Sequence, residues 1–486
     1  MAVNAVPGFD LQPSAQQVPL STNYITNFDF LNQYLPDTYE KEFERYGNRT
    51  VASFLRMVGA EMPSNSDLIK WAEQGRLHVK YQDCTSGSAA GAGTRSAVWT
   101  IPNTTLNFNP ALAGGAKAVL RVGQTVMISD KTPGSNLSNK GIVTVAPTAG
   151  NPNVVTIAYY EATGQAMGAA TACDIWVYGS EFNKGTNGMV GSNESDDLIF
   201  DNKPIIIKDK YQVSGSDMAQ IGWIEITGED GVNGYLWYLK SEHDTRLRFE
   251  DYLETAMLEA VPAGAGSGAG DFLQGTGAGL SAANLNGSDG VFYVVENRGN
   301  VFGGGNPQNL AQFDSIIQRL DKQGSIEENV IFVNRQFSFD IDDMLATQNS
   351  YGAGGSSYGL FDNDKDMALN LGFTGFRRGY DFYKSDWKYL NDPTMRGDLG
   401  GGVVNGLLVP AGSTTVYDQI LGKNAKRPFL HVRYRASETE DRRYKTWITG
   451  SAGGARTSDL DAMEVNFLSE RAVCTLGANN FFLFKD

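Results

Sequence analysis

Residues Tyr235–Val261, YLWYLKSEHDTRLRFEDYLETAMLEAV, carry the longest helical pattern in the sequence and lie between Gly234 and Pro262. Apolar residues recur there at the spacing that lines one face of an α-helix, at Phe249, Leu253, Ala256, Met257 and Ala260. Acid–base pairs four positions apart, Glu242/Arg246 and Asp244/Arg248, add support. Such a helix would span about 40 Å and exceed the usual three to four turns. We therefore expect one long, continuous helix that connects separate parts of the fold.

The N-terminal residues 1–36 are rich in proline and poor in charge, with Asp10 and Asp29 as their only charged residues. Prolines at this spacing disfavour a helix and favour an extended path. Aromatic side chains that need burial recur in the segment at Phe9, Tyr24, Phe28 and Phe30. We expect the segment to lie across a neighbouring surface, and a disordered terminus is the alternative.

Two short helices are predicted next. Asp37-x-x-Glu40 resembles a capping box, and an apolar run follows it. Ser64-x-x-Asp67 would begin a second helix that contains Trp71 and ends at Gly75.

Residues 81–190 change to short β-branched runs separated by clusters of Gly, Pro, Asn and Ser. This pattern predicts a small antiparallel β module. Its clearest runs are Val119–Ser129, Gly141–Val145, Val154–Tyr160 and Ile175–Tyr178.

Beyond the long helix, residues 263–290 are rich in Gly, Ala and Ser and predict a flexible connection. An α/β pattern follows, with a strand at Val291–Val295, a helix from Asn306-Pro307 to Gly324 and a buried strand at Val330–Val333. The last 60 residues return to β structure, at Phe429–Arg435, Lys445–Thr449, Ala472–Leu476 and Phe481–Phe484.

Composition narrows the function classes. The 486 residues predict about three domains, and the net charge of −15 argues against a nucleic-acid binder as a whole.

The three cysteines are too far apart for a disulfide framework or a zinc signature, so we expect buried thiols in a reducing cytosol. No apolar run reaches the roughly 18 residues of a membrane span. No basic residue precedes Lys41, so we expect no signal peptide.

Catalytic signatures do not emerge, and we expect neither an enzyme nor a cofactor or metal. Gly275-x-Gly277-x-Gly279 departs from the phosphate-binding pattern and follows a helix. Asp362–Asp366 begins like a calcium loop but lacks its glycine and its final glutamate. Glu242, His243 and Asp244 are adjacent on a helix, where their side chains diverge. His431 alternates with two arginines, which predicts a polar strand face. A two-carboxylate hydrolase stays open because acids are abundant.

Two basic stretches permit two interpretations. Residues 423–445 hold eight Lys or Arg against three acids, and residues 373–389 interleave seven aromatics with Arg377, Arg378, Lys384 and Lys388. Such mixtures can stack bases and neutralise phosphates, or they can form protein–protein contacts. In so acidic a chain we favour contacts between identical copies.

The chain resembles the major capsid proteins of tailed bacteriophages in its order of elements. It also resembles them in its local sequence around Asn23–Phe43, Val213-Ser214-Gly215 and Asn480–Phe484. These proteins have the Hong Kong 97-type fold, and the local sequence is most similar to the major capsid proteins of crAss-like phages. The resemblance implies an α+β capsid fold with the following parts: N-terminal arm 1–36, short helices of the peripheral region 37–80, inserted β module 81–190, extended loop 191–234, peripheral domain with spine helix and Gly-rich connection 235–289, axial domain 290–425, and returning peripheral sheet 426–486.

The resemblance also implies function. Copies would form hexamers and pentamers of an icosahedral virion capsid, assembled in the bacterial host cytoplasm, that encloses double-stranded DNA without sequence-specific binding. Portal, scaffolding and head-decoration proteins would be partners, and no membrane would be involved. Subunit-interface residues would be Phe9, Tyr24, Phe28, Phe30, Glu242, Arg246, Arg248, Arg377 and Arg378. The family's isopeptide residues find no match here, so no cross-link is expected. A β-rich receptor-binding or adhesin protein of a phage is the alternative.

Overall fold

The computed structural model describes residues 60–86, 95–102, 118–162, 167, 172–192, 197–219, 226–227, 233–234, 237–264, 267–270, 287–324, 326–349, 375–397, 399–418, 423–452 and 456–486. The aromatic residues of the N-terminal arm, the capping box at Asp37, Gly275–Gly279 and Asp362–Asp366 lie outside these residues. Within the described ranges, no helix has both the length and the apolar character to cross a membrane.

Strands predominate in the described chain. They are β1 (Ala60–Ser64), β2 (Ile69–Gln74), β3 (Lys80–Ser86), β4 (Ser96–Thr100), β5 (Gln124–Asp130), β6 (Ser138–Val145), β7 (Val154–Tyr159), β8 (Cys173–Ser180), β9 (Asp197–Asn202), β10 (Ile205–Ser214), β11 (Ile226–Thr227), β12 (Asn233–Gly234), β13 (Asn300–Gly303), β14 (Glu328–Val333), β15 (Gly375–Arg378), β16 (Tyr380–Asp386), β17 (Val404–Pro410), β18 (Ser413–Asp418), β19 (Lys423–Pro428), β20 (Leu430–Arg435), β21 (Lys445–Gly450), β22 (Ala462–Thr475) and β23 (Phe482–Lys485).

The helices of the described residues are α1 (Gly215–Met218), α2 (Trp237–Glu259), α3 (Val291–Arg298), α4 (Leu310–Gln323), α5 (Arg335–Asn349) and α6 (Lys388–Asn391), with a 3₁₀ turn at Ala478–Asn480. The long helix predicted from the sequence is confirmed as α2, which ends before Pro262. The helix predicted from Asn306-Pro307 to Gly324 is confirmed as α4, but its predicted start is wrong by three residues, because the N-cap is Asn309. It begins after Asn309, whose side chain caps it, and ends at Gly324, where φ is 149°.

The chain divides into two compact units. The smaller unit includes residues 208–252 and 444–468. Its aromatic centre is Phe249 of α2, which is fully buried and packs against Tyr444 and Phe467 with ring centroids 5.5 Å and 5.6 Å apart. β21 pairs antiparallel with the first half of β22, from Lys445 opposite Leu468 to Gly450 opposite Met463.

The larger unit contains a closed barrel with the strand order β3-β4-β7-β6-β5-β8. All of its pairings are antiparallel, and β8 returns to β3 to close it. The four runs predicted in this region form strands β5 to β8. Alternate residues point inward and fill a core of their own, which includes Tyr81, Trp99, Ile101, Val126, Ile128, Val155, Ile157 and Ile175.

The larger unit also contains a six-stranded mixed sheet, ordered β13-β23-β17-β14-β16-β15. Helices α4 and α5 bury their apolar faces on it, including Phe313 and Phe337. The C-terminal strand β23 lies inside this sheet, between β13 and β17, and contributes Phe482 and Phe484 to the same core. The predicted strand at Val330–Val333 is confirmed within β14.

Two predicted elements are wrong. Residues 64–75 contain no helix, because Ile69, Trp71 and Glu73 alternate along β2, which pairs with β9 and brings Trp71 opposite Phe200. Val291–Val295 is helical, as the first part of α3, with four of its side chains buried. A short apolar run does not distinguish a buried strand from a buried helix, and tertiary packing decides between them.

His431 corrects a third prediction. It lies in β20 at 3% exposure instead of on a polar face. Leu430, His431 and Val432 are buried in succession, so both faces of β20 are covered at this point and the alternation of its residues does not expose His431.

Candidate assembly surfaces

The predicted interface residues of helix α2 lie in the smaller unit. Glu242 and Arg246 are half-buried, and Arg248 is exposed. Arg246 Nη2 lies 3.2 Å from His243 Nδ1. Thr245 and Phe249 are buried. Glu242 precedes Phe249 by seven residues and lies on nearly the same side of the helix, whereas Arg248 is exposed to solvent. Their part in contacts between copies stays a prediction.

A shallow cleft adjoins β21 in the same unit. It has a volume of about 390 Å³ and is lined by Lys208, Asp209, Lys210, Trp447, Asn466 and Phe467. Lys210 Nζ lies 3.2 Å from Glu464 Oε1, and Lys445 Nζ lies 5.8 Å from the centre of the Trp447 ring. Trp447 and Ile448 are both exposed, and as consecutive residues of a strand they point to opposite faces. The sequence analysis did not identify the exposed Trp447 that lines this cleft.

Three arginines of the basic stretch at residues 423–445 pair with acids of the larger unit. Arg435 pairs with Asp67, Arg443 pairs with Glu61, and Arg442 Nε lies 2.9 Å from Glu470 Oε2. Each of these acids comes from β1, from the turn after it or from β22. These three arginines therefore stabilise the sheet around β20 through ion pairs within the chain.

The aromatic stretch at residues 373–389 belongs to the core of the larger unit. Five of its rings are buried, namely Phe376, Tyr380, Phe382, Trp387 and Tyr389. Bases cannot stack on rings that are covered by protein, so the nucleic-acid interpretation of this stretch is not supported. Tyr383 is the ring of the stretch that the structure shows exposed.

The two arginines of this stretch each face an acid. Arg377 Nε lies 3.2 Å from Asp381 Oδ1, and Arg377 is 76% exposed. Arg378 Nη2 donates to Asp314 Oδ2 at 2.8 Å. That hydrogen bond lowers the pKa of the Asp314 carboxyl below its usual value. Both arginines are accessible to a neighbouring copy. Their part in contacts between copies stays a prediction.

The outer face of the barrel carries an exposed aromatic pair. Trp176 and Tyr178 alternate with inward residues along β8, are 40% and 44% exposed, and have ring centroids 5.9 Å apart. Trp176 also lines a cavity of about 560 Å³, together with Arg76, Leu77, His78, Val79, Lys80 and Val177. Leu77 is 87% exposed at its rim. The alternation in CDIWVYGS, with Cys and Ile inward, is the sequence signal that could have found this face.

The described residues contain no cluster of three His, Cys, Asp or Glu side chains that could hold a metal ion. His431 is buried, and this burial lowers its pKa to about 4 while Nδ1 lies 3.2 Å from Pro428 O. A neutral, enclosed imidazole fits a structural role. All three cysteines are buried, as the sequence analysis expected.

No protein-family model matches the sequence, and no curated protein matches it either. Among solved structures, one from Gordonia phage Cozz is similar with a TM-score of 0.40 and 8% identity, covering 97% of this chain and 98% of that chain. One from Microbacterium phage Oxtober96 has a TM-score of 0.38 and 9% identity, with 94% and 97% covered. The capsid of an empty GTA particle has a TM-score of 0.37 and 8% identity, with 93% and 96% covered. At TM-scores this low, the functional proposal rests on this chain's own residues.

Proposed function

We propose that this chain is the major capsid protein of a tailed bacteriophage, with the Hong Kong 97-type fold and most similar to crAss-like phages. The observation that carries the proposal is the order of elements around the long helix α2, and exposed apolar side chains accompany it. Leu77 and Val190 are each 87% exposed, and Ile199 is 69% exposed. Apolar side chains exposed singly also occur on monomeric proteins, so these three positions are candidates for contact between copies and do not carry the proposal by themselves.

The order of elements supports the same proposal. The strands up to β10 precede the 23-residue helix α2, an α/β region follows it, and strands β19 to β23 complete the chain. This order agrees with the sequence of extended loop, spine helix, axial domain and returning sheet that the resemblance implies. The domain boundaries from the N-terminal arm 1–36 to the returning sheet 426–486 belong to the proposal.

The proposed mechanism is mechanical. Each contact between copies is modest, and closure into hexamers and pentamers repeats it, so that the shell gains stability from symmetry and multiplicity. The N-terminal arm would bury Phe9, Tyr24, Phe28 and Phe30 on a neighbour. A charge of −15 per copy would keep the enclosed DNA from adhering to the wall. Portal, scaffolding and decoration proteins would complete a head assembled in the host cytoplasm.

Negative-stain microscopy of the purified chain tests the proposal. We expect rings, sheets or closed shells, and deletion of residues 1–30 should leave a folded subunit that makes none of them. Normal shells from the truncated chain would contradict the role of the arm. Virions that gave ladders on denaturing gels would contradict the absence of a covalent cross-link.

The exposed pair Trp176 and Tyr178 favours a second candidate, a β-rich receptor-binding or adhesin protein. Exposed aromatic rings beside a cavity could stack on sugar rings. This candidate predicts fibres or trimers that bind glycans, and shells without glycan binding would exclude it.

A further inference from the structure

Cys84 and Cys173 are direct cross-strand partners in the pairing of β3 with β8. β3 is the first strand of the barrel and β8 is its last, so the two cysteines lie at the seam where the barrel closes. Both side chains have 0% exposure and belong to the same core cluster. They therefore lie on the same inward face of adjacent strands.

The register brings the cysteines within reach of a disulfide bond. Residues directly opposite in an antiparallel pair have Cα atoms about 4.5–5.5 Å apart. Disulfides bridge Cα separations of about 4.4–6.8 Å. Cys474 provides the contrast, because it lies in β22 opposite His431. Cys84 and Cys173 are 89 residues apart in the sequence, so the sequence alone does not show that they are neighbours in the fold.

We propose that Cys84 and Cys173 are a latent cross-strand disulfide site that stays reduced in the cytosol and is oxidised by a small-molecule disulfide. The thiolate of one cysteine attacks a sulfur of oxidised glutathione, forms a mixed disulfide and releases one glutathione thiol. The second cysteine thiolate attacks the protein sulfur of that mixed disulfide and releases the second glutathione thiol. The protein loses two electrons and two protons, and the glutathione disulfide gains them.

The closed barrel protects the pair from rapid oxidation. Burial raises the pKa of the Cys84 thiol to about 12, so the reactive thiolate is scarce while the seam is shut. The seam is irregular beside this site, with a register shift between Tyr81 and Cys84 and a φ of 57° at Asp83. Local opening at this irregularity is the route by which the oxidant reaches the thiols.

The disulfide would covalently link the first strand of the barrel, β3, to the last, β8. The loop that it closes, residues 84–173, contains strands β4 to β7. Cross-linking a long loop stabilises the folded state mainly by restricting the unfolded chain. Disulfide formation would therefore raise the stability of the folded barrel once the chain leaves a reducing compartment. This inference does not depend on the proposed capsid function.

Mass spectrometry of the full chain tests the site. After incubation with oxidised glutathione, the remaining thiols are alkylated under denaturing conditions and the chain is digested. We expect a loss of two hydrogen atoms in mass, a linked pair of peptides containing Cys84 and Cys173, and an alkylated Cys474. The melting temperature of the barrel should rise by about 10 °C.

Matched variants locate the effect. Cys474→Ser should form the same linked peptides and show the same rise in melting temperature, whereas Cys84→Ser should show neither. Three alkylated thiols per oxidised wild-type chain would overturn the proposal, as would stable glutathione adducts or links between chains. If Cys84→Ser does not fold, the wild-type peptide map decides the question by itself.

Discussion

The barrel and the six-stranded sheet of the larger unit bury their cores in opposite ways. The barrel is made of one continuous segment, from Lys80 in β3 to Ser180 in β8. The six-stranded sheet places β23, the last strand of the chain, between β13 and β17. The barrel therefore draws its core from local sequence, while the sheet requires the C-terminus. We expect that the two can lose their packing separately, and the following predictions test this.

Phe484→Ala should have the largest effect and should act on the sheet. Phe484 has 0% exposure and packs against Phe337 with ring centroids 4.8 Å apart. Loss of a buried phenylalanine costs about 3–5 kcal/mol. Hydrogen exchange should show β14, β17 and β23 losing protection while β5 and β6 keep it. The exposed Phe339 provides the control, since Phe339→Ala should change the free energy of unfolding by less than about 0.5 kcal/mol. Equal loss in barrel and sheet would contradict their independence.

Trp99→Ala is the reverse experiment in the barrel. Trp99 of β4 is 1% exposed and central to the barrel core. We expect a loss of about 3–5 kcal/mol that is confined to β3–β8, because those strands share no core cluster with the sheet. Trp176→Ala, on the outer face of the same barrel, should leave hydrogen exchange almost unchanged. A Trp99→Ala chain whose sheet also lost protection would show that the barrel supports its neighbour.

His431 predicts a pH dependence outside the barrel. Its pKa is lowered from 6.5 to about 4 by burial, so the unfolded chain takes up a proton more readily than the folded chain. The stabilisation is complete above pH 6.5 and is lost as the pH falls toward 4, by about 3 kcal/mol. His431→Gln should remove this component from unfolding curves between pH 7 and 4, and His78→Gln, at an exposed position, should retain it. An unaltered pH profile for His431→Gln would refute the assignment.

Asn202→Ala should weaken the segment that follows the barrel. Asn202 is 4% exposed, and its Nδ2 donates to Val473 O at 2.7 Å while its Oδ1 accepts from Ser288 Oγ and Asp289 N, each at 2.9 Å. Leaving such groups unpaired costs about 2 kcal/mol. Chemical denaturation should report this loss, and Asn297→Ala, which removes an exposed hydrogen bond, should cost far less. Similar midpoints for the two variants would argue against a central role for Asn202.

Arg378→Gln should have the smallest effect. The Arg378–Asp314 pair lies at the surface, with 44% and 36% of the side chains exposed. Exposed ion pairs contribute about 0–1 kcal/mol. We expect a stability change near the limit of measurement and a clear loss of assembly if Arg378 contacts a neighbouring copy. Intact assembly would remove Arg378 from the interface.

Local signals in the sequence predict much of this fold. Helix α2 was predictable because periodic apolar residues lie between Gly234 and Pro262, and α4 because Gly324 terminates it. The helix at Val291–Arg298 and the strand around Trp71 were not, since their conformation depends on distant partners such as Phe200. The burial of His431 was not predictable either, since both faces of β20 are covered at residues 430–432 and local alternation does not reveal this.

The candidate surfaces were less predictable than the fold. Arginine and aromatic residues at 373–389 have the composition of an interface, yet five of the rings form core. The exposed face of β8 was hidden because alternation identifies two faces of a strand without showing which of them meets water. Closure of the barrel through β3 and β8 settles that choice and also brings Cys84 opposite Cys173.

Sedimentation velocity of the purified full-length chain tests the capsid proposal most directly. The account predicts that the 52.7 kDa chain gives way, as its concentration rises, to discrete species of capsomer and shell size, visible as closed particles by cryo-electron microscopy. A chain that remains monomeric or trimeric at every concentration, with and without co-expressed scaffolding protein, would contradict it.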